Sequence, residues 1–534
     1  MSAAPCLLLA ALLLPVALLV SLLHRKLRPH ALELLAPAPL GGLVAALAAA
    51  DAEGLVLDAT GLRLGLALGG AGALLMGAAA LLWSAAGLYA AAYLRDGRHA
   101  ARFAACWLLT LTGSLGCFMA SDLLSFYLSF ALVSIPAYGL IIHDGTPAAW
   151  RAGGITLSMK IGGEVALLLA FGLMAHAVPG QSLAIADAVA ALPGSAHRGL
   201  AMGLLLAGFG LKAGLVPLHV WLPLAHPAAP MPASAVLSGA IIKAGIVGLI
   251  RFLPYGDAMP GWGSVMAAIG FATAFWGVLV GITQANPKTV LAYSSISQMG
   301  VAAAALGMGF AASDTATGWA AAFYAVHHVL AKGALFLCVG VAQQGAARLP
   351  LVLLPAVVLA LGFGGLPPTG GYLAKLAVKD QLGYGLVGTL STLSAIGSTV
   401  LMLHFVRRML ATAKPGGQGA GAGAGAGPAL MLPWLALACL AIAVPWIVLL
   451  AGEAAAPQAV LRAALAPASL WAASWPVGIG AVLALAIARL GERMPAIPGG
   501  DLVVLYERAA GYAGGLSGPI ERAERALRYW PAAS

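Results

Sequence analysis

Charge is what this sequence has least of. Only 9% of its 534 residues are charged, against roughly 25% in a soluble domain. Carboxylates are scarcer than bases, with 18 Asp plus Glu against 28 Lys plus Arg. A chain so poor in charge and 61% hydrophobic is excluded from the soluble class. Its apolar runs of about 20 residues recur from end to end, as membrane-spanning helices require. Two-residue alternation is missing as well, which excludes a barrel. Cysteine is sparse: Cys6, Cys106, Cys117, Cys338 and Cys439 stand alone in apolar runs. With no CxxC pair or Cys/His cluster, neither an iron–sulfur nor a zinc site is expected, and the five read as small buried hydrophobes. The net charge of +10 does not point to nucleic acid, because the arginines are scattered through short loops, where they set orientation.

What is present is an all-α polytopic membrane protein. The runs predict about 15 spans, near 6–23, 33–50, 67–93, 103–120, 123–142, 153–177, 198–216, 232–253, 262–284, 290–310, 317–342, 350–382, 385–411, 430–451 and 467–489. The first basic cluster, His24-Arg25-Lys26-Leu27-Arg28, follows an apolar start with no small-residue cleavage site before it. A retained first helix with its N-terminus outside is therefore expected. In that orientation the inner loops carry fourteen Lys and Arg against five outside (Arg63, Arg198, Arg251, Lys379 and Arg462). This positive-inside bias favours an odd number of spans and a cytoplasmic C-terminus. Residues 415–428, largely Gly and Ala, read as a flexible linker. Residues 501–531 mix Glu-Arg pairs with apolar residues and read as an amphipathic helix on the membrane surface or on a partner, with a solvated tail as the alternative.

The bases are sorted. Lys212, Lys243, Lys332 and Lys375 fall within spans, and Lys160 falls toward one end of another, whereas arginines keep to loops and helix ends. An ammonium near the bilayer centre costs at least ~2.5 kcal/mol. Arginine stays charged, but a desolvated lysine can lose its proton. A row of buried lysines therefore suits proton exchange. The bland alternative, lysines held in structural ion pairs or snorkelling to the interface, runs short of acids, because only Glu164 lies deep in a span. If Glu164 faces Lys212, the pair holds both charged, and loosening it frees the lysine's proton.

Two spans are interrupted by proline. One runs from Lys212 through Pro217, His219, Pro223 and His226 to Pro230, and the other through Gly362-Phe-Gly-Gly-Leu-Pro367-Pro368-Thr-Gly-Gly371 to Lys375. Broken helices leave backbone groups that need protein or water. Two of them, five spans apart and each beside a lysine, are what an internal five-helix repeat gives, and such paired breaks point to a transport site. Between them His328 and Lys332 stand at i, i+4 on one helical face, a plausible relay, while His327 points elsewhere, as a packing residue.

These motifs, together with Leu237-Ser-Gly-Ala-Ile-Ile-Lys-Ala-Gly and Leu291-Ala-Tyr293-Ser294-Ser-Ile-Ser-Gln-Met-Gly300, resemble the antiporter-like proton-pumping subunits of respiratory complex I. That family is shared with multisubunit Na+/H+ antiporters and membrane-bound hydrogenases of the hydrogenase-4 type. The likeness covers about residues 55–411. It implies two inverted five-helix repeats, here 103–253 and 262–411, preceded by N-terminal helices (1–102). A linker (412–429), C-terminal helices (430–490) and a cytoplasmic tail (491–534) would follow. It further implies that Lys212 is the central pumping lysine and that Lys243 passes protons inward. His328 and Lys332 would make the central connection and Lys375 the terminal site, supported by the surrounding prolines, His219, His226, Tyr293 and Ser294. One departure stands out: the fifth-span glutamate usual in the family is Ala131 here, following Phe130. Glu164 is expected to have taken its place.

The resemblance implies a proton-translocating subunit of a redox-driven complex in the bacterial inner membrane, partnered by other membrane subunits and carrying no cofactor itself. Gly208-Phe-Gly210-Leu-Lys-Ala213 imitates a dinucleotide fingerprint but lies inside a span without βαβ context. The alternatives are a secondary antiporter subunit exchanging Na+ for H+, the membrane partner of an ion-driven inorganic-carbon uptake system, and a membrane scaffold that does not transport.

Overall fold

Three of the apolar runs become helices that start where a polar side chain takes up free backbone N–H groups. The computed structural model describes residues 3–59, 62–95, 97, 99–345, 349–413, 427–452, 457–490, 497–503 and 507. In it, Ser125 N donates to Asp122 Oδ1 at 2.8 Å, Ala149 N to Thr146 Oγ1 at 3.1 Å, and Lys288 N to Asn286 Oδ1 at 2.9 Å. Each is a cap on the helix that follows. Pro147, Pro260 and Pro287 open their helices, where a missing N–H costs nothing.

An N-terminal group comprises α1 (Ala3–Ser21), α2 (Leu40–Ala48), a hairpin of β1 (Leu55–Ala59) and β2 (Leu62–Leu66), and α3 (Gly70–Tyr93). Next come α4 (Ala100–Met119), α5 (Leu123–Ile141), α6 (Pro147–Ala177), the short α7 (Ile185–Ala191), α8 (Arg198–Ala213), α9 (Trp221–Ala228), α10 (Met231–Val236) and α11 (Lys243–Phe252). The order then repeats with α12 (Pro260–Gly281), α13 (Pro287–Ala311), α14 (Thr317–Gln343), α15 (Leu349–Gly364), α16 (Gly370–Ala377), α17 (Lys379–Leu382) and α18 (Gly385–Thr412). The chain closes with α19 (Pro428–Gly452), α20 (Pro457–Ala464) and α21 (Pro467–Leu490).

All fifteen expected runs are helical, and among the described residues twelve helices are long and apolar enough to cross a membrane. Three runs depart from a straight span. Residues 33–50 form a 3-10 turn and the nine-residue α2. At 1.5 Å per residue, 16 residues reach ~24 Å, short of the ~30 Å hydrocarbon core. The runs containing α8–α9 and α15–α16 break as their prolines predicted. The β-hairpin was not anticipated; it pairs Leu55 with Leu66 and Leu57 with Leu64, following the alternating leucines of this segment.

Both breaks share a signature that the sequence carries openly: Gly214-Leu-Val-Pro217 and Gly365-Leu-Pro-Pro368. Each glycine has positive φ, 82° and 102°. Each following leucine N–H reaches back five residues, Leu215 to Gly210 O at 2.8 Å and Leu366 to Leu361 O at 3.2 Å. This is the left-handed helix stop that glycine allows. The lysines are not equivalent about it: Lys212 precedes its break, whereas Lys375 follows.

The central helices pack closely. A methyl on Gly270 of α12 would meet Ala304 N at 2.5 Å and Gly300 O at 2.6 Å on α13. The backbones therefore touch where both faces are stripped to glycine, the usual route to helix association in lipid. The most apolar 18-residue stretches of α13 and α14 are wholly buried, whereas those of α1, α19 and α21 are mostly outward-facing. Cys117 and Cys338 are buried as expected, but Cys6 and Cys439 are exposed. The outer surface of a membrane protein is itself apolar, so outward thiols carry no penalty there. The expected linker and amphipathic tail fall almost wholly outside the described residues; of the tail, 497–503 and 507 are described.

Candidate ion-translocation axis

Buried lysines line the repeats: Lys160, Lys212, Lys243, Lys288 and Lys332 are each at most 6% exposed. Lys212 sits on the last turn of α8. That position aims its amine across to α5, where it donates to Ser134 Oγ at 2.5 Å and lies 4.4 Å from the centroid of Phe130. Ser134 stands one turn beyond Ala131, so a hydroxyl now occupies the region where the family glutamate was expected.

The ion pair anticipated between Glu164 and Lys212 is not formed. Among the described residues the salt bridges are His30–Glu33, Arg151–Glu507 and His219–Asp501. Glu164 is nevertheless 7% exposed, and its Oε1 has no hydrogen-bond partner among the described residues. It stays within electrostatic reach of Lys212 and Lys160. The expected position of Lys160 needs correction. The Thr146 cap starts α6 at Pro147 rather than 153, which places Lys160 near the middle of a 31-residue helix, one turn from Glu164 and 4.5 Å over the Trp221 ring.

The breaks are satisfied internally. Val216 N donates to Thr273 Oγ1 at 3.0 Å and Trp221 Nε1 to Leu211 O at 2.9 Å. Lys288, read from sequence as a loop charge, is buried and donates to Ala229 O and Pro227 O. It thereby covers the C-terminal carbonyls of α9, where a cation is favourable.

At the centre, the chain between α10 and α11 widens into a π turn over Leu237–Ile241, a distortion common at functional sites. It presents Lys243, whose Nζ lies 2.8 Å from His328 Nδ1 on α14 and 3.3 Å from Ser238 O. α11 and α14 thus meet through a lysine–histidine contact. Lys332, one turn along α14, donates to Leu291 O at 3.2 Å and lies 4.6 Å from the Phe363 ring. His327 packs against that same ring, with centroids 5.0 Å apart.

Beyond Lys332 the polar chain continues through Ser294, expected as a supporting residue, and then through residues that the sequence did not single out. Ser294 Oγ donates to Met402 Sδ, Gln298 Nε2 to Ser398 Oγ at 2.9 Å, and Tyr324 Oη to Gln298 Oε1. Gln298 lay inside a quoted motif, but only its long-range partners reveal a role. A cavity of about 20 Å³ joins Gln298, Tyr324 and Ser398 to Lys375, room for about one water. Lys375 donates to Gly364 O at 2.8 Å and lines a larger open cavity of about 250 Å³ with Tyr372, Ser391, Thr392 and Ser469. The six expected site residues therefore form two tiers. Lys243, His328, Lys332 and Lys375 lie along one polar path, while Lys212 and Glu164 are near one another without contact.

Of the supporting residues, His226 is fully buried and stacks on Phe336 at 4.7 Å, within electrostatic reach of Lys288, Lys332 and His328. His219 and Tyr293 instead converge on Asp501, which the sequence had placed in a surface helix. His219 Nε2 is 3.1 Å from Asp501 Oδ1, Tyr293 Oη donates to Oδ1 at 3.2 Å, and Trp276 Nε1 donates to Oδ2 at 2.5 Å. Burial by itself would push this carboxyl up, but the hydrogen bonds from His219 and Trp276 outweigh it and hold Asp501 below the ordinary carboxylate range.

The profile of the NADH:quinone oxidoreductase/Mrp antiporter transmembrane family matches residues 120–403, more than half of the chain and all of the axis. Hydrogenase-4 component B of Escherichia coli K12 is 28% identical over 355 residues, covering 62% of this chain and 51% of that protein. The Na(+)/H(+) antiporter subunit A1 of Staphylococcus haemolyticus is 30% identical over 339 residues, covering 58% and 42%. This chain thus spans about half the length of these relatives. The structure of the Mrp complex from Dietzia sp. shares its fold, with a TM-score of 0.77, 23% identity and coverage of 96% of this chain and 60% of the other.

Proposed function

We propose that this chain, which belongs to the NADH:quinone oxidoreductase/Mrp antiporter transmembrane family, is the proton-translocating membrane subunit of a larger hetero-oligomeric assembly. The observation that carries the reading is the 2.8 Å contact between Lys243 and His328, because it joins one repeat to the other through two groups that can each hold and release a proton. Protons would pass from the region of Lys212 to Lys243, then His328, Lys332 and the Gln298–Ser398 pair to Lys375 and its open cavity. Glu164 would modulate Lys212 by its charge across a short gap. Redox or other driving chemistry would reside in partner chains, with no cofactor held here. The positive-inside bias favours a bacterial cytoplasmic membrane with the N-terminus outside. The test is Lys243→Met in the complex reconstituted into liposomes: proton flux followed by an entrapped pH dye is expected to be lost while the complex still assembles. Flux at the parent rate would refute the reading.

A second reading is favoured by the relative named as a Na(+)/H(+) antiporter subunit: the same axis would exchange sodium for protons. Sodium-dependent proton flux in the same liposomes, without a redox substrate, selects it.

A further inference from the structure

Asp501 is the one carboxylate of residues 497–503, and it lies 282 residues from its partner His219. Its side chain is 5% exposed and that of His219 is fully buried. Three elements deliver donors to it: the break after α8 (His219), α12 (Trp276) and α13 (Tyr293). The segment is fastened by its backbone as well. Gly500 N donates to Tyr293 Oη at 3.2 Å, and Gln284 Nε2 donates to Ile497 O at 2.9 Å. Residues 497–503 therefore fold back over the first break, on the face where α12 ends and α13 begins. The break that it covers starts at Gly214, two residues after Lys212.

The chemistry of the contact is more specific than a latch. A latch would be served by any acceptor, yet a carboxylate has been taken out of water to face an imidazole. His219 uses Nε2 toward Asp501, and its Nδ1 is buried without a hydrogen-bond partner among the described residues. A histidine with one nitrogen oriented by a carboxylate and the other free is arranged to take a proton at the free position. The carboxylate stabilises the imidazolium that forms, and the proton leaves again from the same nitrogen. Tyr293 and Trp276 fix the carboxylate without competing for the proton.

We infer that His219 and Asp501 form the proton-loading couple at the mouth of the first half-channel, with His219 the carrier and Asp501 its positioning residue, supplied by the C-terminal segment. The inference rests on the proposed proton-translocating function. It makes the segment an obligatory part of the transport path rather than a surface strut.

The experiment compares Asp501→Asn, Asp501→Glu, Trp276→Phe and the Lys243→Met control in the full complex in liposomes, reading proton flux against pH and hydrogen exchange of residues 497–503. Asp501→Asn preserves size and an acceptor oxygen, so the segment is expected to stay protected from exchange. Flux is expected to fall by about a hundredfold, the usual worth of a positioned proton-transfer group, and its pH profile to lose the limb set by His219. Asp501→Glu is expected to restore a fraction of the flux. Trp276→Phe, which removes a donor but no charge, is expected to displace the pH profile without losing the limb that Asp501→Asn loses. If Asp501→Asn transports normally while Lys243→Met does not, the inference fails and the proposed function stands. If flux is lost only when protection is lost, and equally in Trp276→Phe, the segment is a latch and the inference fails. If Lys243→Met also transports normally, the underlying function is what fails.

Discussion

Replacing His328 tests the axis at its narrowest point. The residue is 1% exposed and its Nδ1 is 2.8 Å from Lys243 Nζ, while Lys243 has one further partner, Ser238 O at 3.3 Å. Two effects must be separated. Leaving the buried amine short of a partner costs about 1–3 kcal/mol of stability. Removing a group that accepts and releases protons costs about 10²–10⁴ in rate, equivalent to about 2.7–5.5 kcal/mol of barrier at 1.36 kcal/mol per tenfold. His328→Gln divides them, because its amide oxygen can accept from Lys243 but cannot carry a proton onward. His328→Leu removes both functions. The expected outcome is that the Gln variant melts within about 1 kcal/mol of the parent yet loses at least a hundredfold of its proton flux, and that the Leu variant loses both. Flux is read by an entrapped pH dye in liposomes and stability by thermal melting in detergent. A Gln variant that transports at the parent rate would show that protons do not pass through this contact.

Further outcomes follow from particular contacts. Glu164→Gln keeps the shape of α6 but removes the one deep acid near Lys212, so coupled flux is expected to drop at least tenfold with assembly unchanged; full flux would assign Lys212's control to Ser134 instead. Gly270→Ala forces a methyl against Ala304 N and Gly300 O and is expected to cost about 1–3 kcal/mol by overpacking, read as a lower melting temperature; an unchanged value would mean the α12–α13 contact is looser than described. Asp501 is held below its ordinary range while docked, so its contribution is complete above the undocked value of ~3.9 and is lost as pH falls through the docked one. Hydrogen exchange of residues 497–503, corrected for intrinsic rates, should therefore rise as pH falls below about 4; protection that persists undiminished below that value would contradict the assignment.

Spans were the legible part of the sequence, because a helix must be apolar over its whole length to cross lipid, and that property is local. The breaks were legible for the same reason: Pro217 and Pro368 act on their own helices. Lys243, His328 and Lys332 were found because an ionisable group in an apolar run is conspicuous wherever it points. Partners were not legible. Ser134, Gln298 and Ser398 are ordinary residues whose role comes from what faces them, and Asp501 meets His219 only through the fold. Glu164 shows the limit most clearly: its depth was read correctly, but the direction of a side chain on α6 depends on where Thr146 starts the helix. Lys160 was misplaced by the same few residues.

The shortage of acids has a structural answer. The axial lysines are held mainly by main-chain carbonyls: Lys243 by Ser238 O in the π turn, Lys332 by Leu291 O, Lys375 by Gly364 O at the end of α15, and Lys288 by Ala229 O at the end of α9. Three of these acceptors are exposed by a distortion or a break in a helix, since regular helical carbonyls are already engaged. A carboxylate attracts an ammonium far more strongly than it attracts a neutral amine, so an ion pair fixes the protonation state. A carbonyl only accepts, and a lysine amine keeps N–H donors whether it bears the extra proton or not. The same hydrogen bond therefore survives gain and loss of the proton, and the side chain need not swing away when its charge changes. Broken helices and lysines without acids are then two aspects of one design: the breaks supply neutral acceptors at depths where carboxylates would arrest the proton.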